Sequence, residues 1–328
     1  MSRWRRSRSA RARGGGDLDG RGSWQLTRER RFAVQGPYNL ALSLASSQRY
    51  TEVSRGDESV FRTAVRVDGE PSIMEVSQVD DDPPVLAVAG TGGAPPGSLQ
   101  QEAEWMLFGG LSLKPFYERV TGHQVMEGAV RRLRGLKPSR PPSLFEMAVT
   151  AVTEQQISMA AAYRIRTRLV EAFGDRILTV SEKGEPSYHA FPDPERLASA
   201  SKDSLRQCGL SGRKAEYILG LARRVVSGEI DLERLRDFSD EEVRAVITDL
   251  RGFGPWSADY ILVRGLGRLD CVPASDLGVR TVVGDLLGDG SRMGAEDVRA
   301  TLAPFEPHRG LAAFYLLRYA DVHSGSSR

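Results

Sequence analysis

The stretch from Leu250 to Arg280, LRGFGPWSADYILVRGLGRLDCVPASDLGVR, decides how the rest of this chain is interpreted. It opens with Gly252-Phe253-Gly254-Pro255, where two glycines permit a tight turn that side chains would obstruct. Proline suits the first position of a helix because it has no N–H to lose there. The sequence therefore predicts a helix over 256–266 whose free backbone N–H groups face outward, which is a geometry that binds anions such as phosphate.

One carboxylate follows this turn at the front of a second predicted helix. Glycines at 265 and 267 end the first helix, and an extended piece at 271–273 brings Asp276 to the start of a helix over 277–287. An aspartate before Leu-Gly-Val-Arg stands where a helix N-cap is expected. Capping and catalysis are compatible for one carboxylate, so Asp276 is also a candidate catalytic residue.

These residues resemble the helix-hairpin-helix DNA glycosylases, in which a Gly-hydrophobic-Gly hairpin is followed by an aspartate. The run PWSADY at 255–260 is most similar to the alkylation-repair branch, the 3-methyladenine DNA glycosylase II type. Three upstream motifs have the order and approximate spacing of that branch, namely LKPFY at 113–117, GLK at 135–137 and EQQIS at 154–158. The resemblance covers roughly residues 30 to 320.

The resemblance implies a role for each residue of the motif. Asp276 would be the catalytic carboxylate, and Trp256 and Tyr260 would line the pocket that receives the damaged base. On the residues alone, these two aromatics could also be core side chains four apart on one helical face. The DNA-binding hairpin would consist of Gly252, Phe253, Gly254 and Pro255.

The resemblance also implies an apolar wedge that fills the space vacated by the extruded base. Leu136 stands at that position, between Gly135 and Lys137 on an otherwise polar loop. The alternative is that Leu136 only covers a helix end. Gln155 and Gln156 follow a very apolar helix, where they would line the DNA face or cap the helix.

The implied activity is base-excision repair. A glycosylase must extrude a nucleotide, hold its base in a pocket and place a carboxylate near the sugar. Methylation at N3 or N7 makes a purine positively charged, so electron-rich aromatic faces can bind it with about 0.5 to 2 kcal/mol per ring. The expected enzyme hydrolyses the N-glycosidic bond of 3-methyladenine-like purines flipped from duplex DNA. Leu316-Leu317 stands where this branch often has a tryptophan, which leaves the range of bases open.

The residue after the hairpin bears on strand cleavage. In helix-hairpin-helix enzymes that also cut the strand, a lysine there attacks C1′, whereas this chain has Trp256. No lysine lies between Leu250 and Arg280, so water is the expected nucleophile and the glycosylase is expected to be monofunctional, leaving an abasic site.

Two alternatives to this function stay open. One is a non-catalytic helix-hairpin-helix DNA-binding module. Asp276 argues against it, because a carboxylate would repel phosphates. The other is a glycosylase for a different damaged base, such as hypoxanthine, ethenoadenine or an oxidised base.

The amino-acid composition limits which cofactors the protein can bind and which class of protein it belongs to. Two cysteines, Cys208 and Cys271, supply neither a disulfide framework nor the four-cysteine iron–sulfur cluster of related branches. The four histidines show no metal-ligand spacing, so no metal site is predicted. A monovalent cation at the hairpin carbonyls is the one cofactor that the resemblance leaves open, and none is expected to be required. No apolar run approaches the roughly eighteen residues of a membrane helix.

The expected fold is an α+β N-terminal sheet domain followed by an all-α helix-hairpin-helix glycosylase domain. Period-two patterns predict strands near 61–67, 73–76 and 85–88, and the helical pattern continues from 98 almost to the end. The expected divisions are a disordered Arg-rich tail at 1–29, the sheet domain at 30–97, the catalytic region at 98–323 and a tail at 324–328. The catalytic region should contain two helical subdomains with the DNA cleft between them, and 90–97 should be a linker.

The net charge of +2 gives only weak support for a polyanion partner, so any basic surface must be local. We expect a monomer that binds double-stranded DNA containing damaged bases and does not enter a membrane. The expected location is the cytoplasm or nucleoid of a prokaryote, or the nucleus or an organelle of a eukaryote, without secretion.

Overall fold

A computed structural model describes residues 28–45, 60–177 and 188–325 of the protein. The tail predicted over 1–29 lies outside these residues except for its last two positions, and the tail over 324–328 is described only to Gly325.

An antiparallel sheet forms the first unit. Its strands are β1 (Arg30–Ala33), β2 (Val60–Val67), β3 (Glu70–Asp81) and β4 (Pro84–Gly92), in the order β1-β4-β3-β2. The helices α1 (Leu40–Ala45) and α2 (Pro96–Met106) accompany it. The strands predicted from alternating side chains are confirmed, because Phe61, Thr63, Val65 and Val67, which share one face of β2, are all buried.

The segment 90–97 is not a linker. Strand β4 continues to Gly92, α2 begins at Pro96, and the buried face of α2, including Leu99 and Met106, lies in the core of the sheet unit. At Gly90 a Cβ would stand 2.6 Å from the carbonyl oxygen of Ile73 and 2.6 Å from Leu99 Cδ1. This glycine therefore serves close packing rather than flexibility, and a boundary at 97 divides one packed unit.

Two helical subdomains follow, each with its own apolar core. The hairpin subdomain contains α5 (Leu144–Glu154), α6 (Met159–Phe173), α7 (Pro194–Ala198), α8 (Lys202–Gln207), α9 (Gly212–Val226), α10 (Asp240–Asp249) and α11 (Pro255–Ile261). The second subdomain contains α3 (Lys114–Val120), α4 (Gln124–Arg132), α12 (Leu277–Leu287), α13 (Ala295–Leu302) and α14 (Arg309–Gly325). Helix α5 is buried almost throughout, as its uniformly apolar sequence predicted. No helix in the described ranges is long and apolar enough to cross a bilayer.

One short strand pair was not predicted. Strands β5 (Asp175–Ile177) and β6 (Tyr188–Ala190) pair antiparallel between α6 and α7, so the catalytic region is not purely helical. Ile177 and Tyr188 pack with Ala64 and Ile73 of the sheet unit. Three residues per strand are too few to show a period of two, which explains the omission. The fold class, a sheet domain followed by a helical glycosylase domain, is confirmed.

A buried lysine connects the sheet unit to the second subdomain. Lys137 is fully buried, and its Nζ donates to the carbonyl oxygens of Gln35 (2.8 Å) and Phe108 (3.1 Å). The same Nζ lies 5.1 Å from the centre of the Tyr38 ring. Burial lowers the pKa of Lys137 from 10.5 to about 8.

This lowered pKa predicts how stability changes with pH. Between about pH 8 and pH 10.5 the unfolded chain binds more protons at Lys137 than the folded chain does. The free energy of unfolding of the wild type should therefore rise, relative to that of Lys137→Met, as the pH increases through this window. Below it both states are protonated and the difference should be constant. Urea denaturation of both proteins across this range measures the effect, and a constant difference throughout would contradict it.

Candidate active site

The two hairpin glycines are needed for different reasons. Gly252 has a φ of +94°, and a Cβ there would lie 2.2 Å from the ring of Tyr217. Gly254 has an ordinary φ of −119° as the N-cap of α11, and a Cβ there would meet nothing within 4 Å. Gly252 therefore permits the turn and its packing, whereas Gly254 leaves the backbone open to approach from outside.

The helix predicted over 256–266 is present, but it is not α-helical throughout. Pro255 occupies the first turn of α11, and the chain continues as a π-helix over Leu262–Leu266 that ends at Gly267 in the left-handed conformation. The side chain of Phe253 is buried in the core of the hairpin subdomain. Phe253 therefore anchors the hairpin, and any contact it makes with DNA must be through its backbone.

Asp276 accepts two hydrogen bonds that come from different subdomains. Its Oδ1 accepts from the backbone N–H of Val279 at 3.0 Å, which confirms the predicted cap of α12. Its Oδ2 accepts from Trp256 Nε1 at 2.9 Å. A carboxylate suits two donors because it only accepts, and each oxygen keeps further lone pairs. The sequence did not predict the indole bond.

Trp256 and Tyr260 stack on each other. Their ring centroids lie 5.0 Å apart with an interplanar angle of 14°. No base fits between rings in contact, so a base can only stack on the outer face of the pair. Burial, and then the charge of the neighbouring Glu154 carboxylate, raise the pKa of Tyr260 well above its usual value. The phenol therefore stays neutral at physiological pH.

Leu317 borders the same carboxylate. A Cβ at Gly278 would lie 3.1 Å from Asp276 Oδ1 and 3.7 Å from Leu317 Cδ2, so Gly278 separates the two side chains. Leu316 is fully buried in the core of the second subdomain. Of the two leucines that stand where the resembled branch often has a tryptophan, only Leu317 reaches the site. Sequence alone gave no signal that could choose between them.

Two arginines near Tyr260 were also missed. Arg318 follows Leu317 on α14, and its Nη1 pairs with Asp321 Oδ2 at 3.0 Å. Burial, and then the charge of Arg264, lower the pKa of Arg318, and the Tyr260 phenol has a smaller opposing effect. Arg264 in turn acts on the phenol of Tyr260. Positive charge therefore lies close to the hydroxyl of the stacked pair.

Leu136 is not placed to act as a wedge. Its side chain is 1% exposed in the core of the second subdomain, and its carbonyl oxygen accepts a hydrogen bond of 2.8 Å from the Tyr315 hydroxyl. The polar flanks suggested an exposed loop, but Lys137 is itself buried. The neighbouring Gly135 carbonyl oxygen accepts from Asn39 N at 2.9 Å. These contacts hold the loop in the protein interior.

The loop after α5 lies at the hairpin instead. Gln155 Nε2 donates to the carbonyl oxygen of Gly252 at 2.9 Å and to Ser257 Oγ at 3.2 Å. Gln156 is exposed and has a φ of +55°. Ile157 and Met159, which follow, are exposed by 38% and 39%. Gln155 thus fixes the hairpin, while the next residues present polar and apolar groups outward.

The hairpin carbonyls already have protein donors. The oxygen of Leu250 accepts from Phe253 N at 3.0 Å, and that of Gly252 accepts from Gln155. A monovalent cation here stays a prediction. Within residues 28–45, 60–177 and 188–325, no three His, Cys, Asp or Glu side chains come together as a metal site would need.

Comparison with known proteins identifies the family. The family model of the HhH-GPD superfamily of base excision DNA repair proteins matches residues 149–307. A DNA-3-methyladenine glycosylase of Bacillus subtilis is 32% identical over 206 residues, which are 63% of this chain and 67% of that protein. The chain belongs to the HhH-GPD superfamily. It is a DNA-repair glycosylase of the alkylation-repair branch that the motif indicated.

Two further similarities agree with this family. DNA-3-methyladenine glycosylase 2 of Escherichia coli is 30% identical to this glycosylase over 43% of this chain and 49% of its own length. The solved 3-methyladenine DNA glycosylase of Archaeoglobus fulgidus has a TM-score of 0.77 at 25% identity, covering 89% of this chain and 98% of that one. Sheet domain and helical subdomains are therefore shared with that structure.

A DNA complex is among the similar structures. The 3-methyladenine DNA glycosylase of Schizosaccharomyces pombe with abasic DNA has a TM-score of 0.54 at 25% identity, covering 63% of this chain and 97% of that one. DNA binding by this glycosylase is supported by that similarity.

Because the two hairpin glycines are needed for different reasons, their substitution should affect stability and DNA binding differently. Gly252→Ala should lower the free energy of unfolding by about 2 kcal/mol or more, because it combines positive φ with overlap on Tyr217. Gly254→Val should lower it by at most about 1 kcal/mol. It should nevertheless weaken DNA binding about tenfold, equally for damaged and undamaged duplex, because phosphate contacts carry no sequence information. Thermal unfolding and titration with both duplexes test this, and a loss confined to lesion-bearing DNA would assign the hairpin to base recognition.

Proposed function

We propose that this glycosylase hydrolyses the N-glycosidic bond of alkylated, 3-methyladenine-like purines in duplex DNA and leaves an abasic site. The observation that carries the proposal is the Asp276 carboxylate, held by the indole of Trp256, whose ring is stacked on Tyr260. A carboxylate for the sugar and an aromatic face for the base thus lie side by side.

Asp276 supports the reaction by electrostatics. Departure of the base leaves positive charge at C1′, and a carboxylate fixed by two donors meets that charge without reorganising. Its remaining lone pairs are free to orient a water molecule. Gly278, beside Asp276 Oδ1, adds no side chain that would obstruct the sugar.

The aromatic pair supports recognition of a charged base. An N3- or N7-methylated purine is a cation, and its attraction to an aromatic face is about 0.5 to 2 kcal/mol per ring. Because Trp256 and Tyr260 are stacked, one outer face is available to the base. A cationic purine is also a good leaving group, so the site needs no strong general acid.

Nucleotide extrusion requires a group to occupy the vacated stack. We propose that the loop of Gln156 and Ile157 has this role in place of Leu136. It is exposed, it follows the residue that binds the hairpin, and Met159 extends its apolar surface. Leu277, which follows Asp276 in sequence, is 60% exposed. Exposed apolar groups thus accompany both this loop and the carboxylate.

Removal of the charge at Asp276 should abolish most of the activity. We expect Asp276→Asn to slow single-turnover release of 3-methyladenine at least about a hundredfold, because a preorganised electrostatic group contributes about 3 kcal/mol or more. DNA binding should be largely kept. An amide has only one acceptor oxygen, so one of the bonds from Val279 N and Trp256 Nε1 is also lost.

Asp193→Asn is the matched control for this variant. Asp193 caps α7 through a bond from Arg196 N of 2.7 Å, and the same change there leaves Asp276 untouched. It should keep wild-type release. Near wild-type release by Asp276→Asn would refute the catalytic role of the carboxylate.

A second candidate function concerns neutral purines such as hypoxanthine or ethenoadenine. It is favoured by Leu317, which replaces an aromatic wall with an aliphatic one, and by the positive charge of Arg264 and Arg318 near Tyr260. The two candidate functions are distinguished by measuring base release from duplexes that carry cationic lesions, neutral lesions or the oxidised base 8-oxoguanine. The first proposal requires the cationic bases to be released fastest.

We propose that the enzyme is monofunctional. Trp256 follows the hairpin, and an indole cannot form a Schiff base. The described lysines are otherwise engaged: Lys137 is buried, Lys202 pairs with Glu216, Lys114 with Glu118, and Lys214 donates to the carbonyl oxygens of Thr153 (2.9 Å) and Gln155 (2.7 Å). Water is therefore the nucleophile.

The reaction products distinguish a monofunctional glycosylase from an enzyme that also cleaves the strand. We expect released free base and an intact abasic strand that breaks only after alkali or an added endonuclease. Borohydride added during the reaction should trap no protein–DNA adduct. The test should include Lys214→Ala, because Lys214 lies nearest in sequence to the hairpin among the described lysines. A trapped band that disappears in this variant would show a lyase mechanism.

We further propose that the enzyme acts as a monomer on double-stranded DNA in the compartment that holds the genome. Among the described residues, the large exposed hydrophobic side chains other than Val79 and Val226 follow Gln155 or Asp276 closely in sequence, and those two valines lie on separate elements. Two isolated valines do not form an apolar interface.

A further inference from the structure

The loop between α5 and α6, residues 155–158, is held at its beginning by a lysine of α9. Lys214 Nζ donates to the carbonyl oxygens of Thr153 (2.9 Å) and Gln155 (2.7 Å). Carbonyl groups at the end of a helix have no partner inside the helix, and a lysine side chain is a suitable donor for them. The loop therefore begins at a fixed point.

The same loop is also bound to the hairpin. Gln155 Nε2 donates to the carbonyl oxygen of Gly252 at 2.9 Å and to Ser257 Oγ at 3.2 Å. One bond reaches the hairpin turn and the other reaches the first turn of α11, so both N–H groups of the side-chain amide are used. Gln155 therefore fixes the distance between the loop and the hairpin.

The exposed part of the loop has a constrained backbone. Gln156 and Ile157 are exposed, and Gln156 has a φ of +55°. A residue with a side chain seldom adopts a positive φ, and it keeps one only where its surroundings fix it. The bonds of Gln155 precede this residue, and Ser158 follows as the cap of α6, its Oγ accepting from Ala161 N at 3.3 Å. The projecting side chains are thereby preorganised.

We propose that Gln155 is a positioning residue that couples the grip of the hairpin on the DNA backbone to extrusion of the damaged nucleotide. When the hairpin binds a phosphate, the two bonds of Gln155 place the side chains of Gln156 and Ile157 at a fixed distance from that phosphate. The inference rests on the proposed function, because it requires this loop to fill the vacated stack. Gln155 does not touch the substrate and acts through the two residues that follow it.

The test compares a paired lesion with an unpaired one. Single-turnover release of 7-methylguanine is measured from a duplex in which it lies opposite cytosine and from one in which it lies opposite an abasic-site analogue. A base without a pairing partner costs less to extrude. Binding to undamaged duplex and thermal unfolding are measured for each protein.

Gln155→Met keeps the length of the side chain but removes the amide. We expect it to slow release about tenfold for the paired lesion and less than about twofold for the unpaired one, because the lost bonds matter for extrusion and not for chemistry. Affinity for undamaged duplex should change less than about twofold, because Phe253 still anchors the hairpin that binds phosphate. The fluorescence of 2-aminopurine beside the lesion, which rises when the neighbouring base leaves the stack, should rise more slowly by the same factor as release.

A mutant cycle tests whether Gln155 acts through the loop. Gln156→Ala/Ile157→Ala should cause the same selective loss for the paired lesion. In the protein that already carries these two changes, Gln155→Met should have little further effect, because coupled residues are non-additive. Ser257→Ala removes only the hydroxyl acceptor and should give a smaller loss of the same kind, so it is the second variant if Gln155→Met does not fold.

Gln78→Met is the matched control. Gln78 Nε2 donates to the carbonyl oxygen of Tyr38 at 3.2 Å and to Asp81 Oδ1 at 2.8 Å, which belong to the sheet unit. Its loss should lower thermal stability without changing the ratio of the two release rates.

Equal slowing for both lesions, additive losses in the mutant cycle, or an equally large loss of affinity for undamaged duplex would overturn the inference and leave Gln155 as a support of the hairpin. A wild-type protein that releases 7-methylguanine from neither duplex would refute the proposed function and the inference together. Normal wild-type release with equal slowing by Gln155→Met would overturn the inference alone.

Discussion

The hydrogen bond from Trp256 Nε1 to Asp276 Oδ2 joins the two helical subdomains at the point where the chemistry is proposed. Each partner is fixed on its own side. Trp256 follows a hairpin whose turn packs on Tyr217 and is bound by Gln155, while Asp276 caps α12. The position of the Asp276 carboxylate is therefore set by elements of both subdomains. A change in either one would move the acceptor relative to its donor.

Much of this arrangement followed from sequence. Apolar residues at helical spacing, with glycine or proline at the ends, indicate the helices, and alternating apolar residues indicate the strands of the sheet. The structure confirms the positions of these predicted elements within a few residues. Gly252 and Asp276 were recognisable because each obeys a local rule, the need for positive φ and the need for a cap. Local rules can be applied without knowing what lies elsewhere in the chain.

The errors arose where a residue's meaning depends on distant contacts. Leu136 was interpreted as exposed because Lys137 is charged, but that lysine donates to carbonyls of Gln35 and Phe108, which lie far away in sequence. Gly90 suggested a linker although its lack of a side chain serves packing. Glu154 could have been noticed as a charge that ends an apolar helix, but its partner Arg166 could not be inferred from spacing.

The sheet unit touches both helical subdomains behind the site. It meets the second subdomain at Lys137 and the hairpin subdomain at the β5–β6 pair, where Ile177 packs with Ile73. A hinge motion that opened the two subdomains would break one of these contacts, so the unit acts as a brace. A protein braced in this way leaves most of the deformation on binding to the double helix, which must bend and release its nucleotide. Sequences that are already weakly stacked, as at a damaged pair, deform at the lowest cost, and a stiff protein distinguishes them before any base reaches the aromatic face.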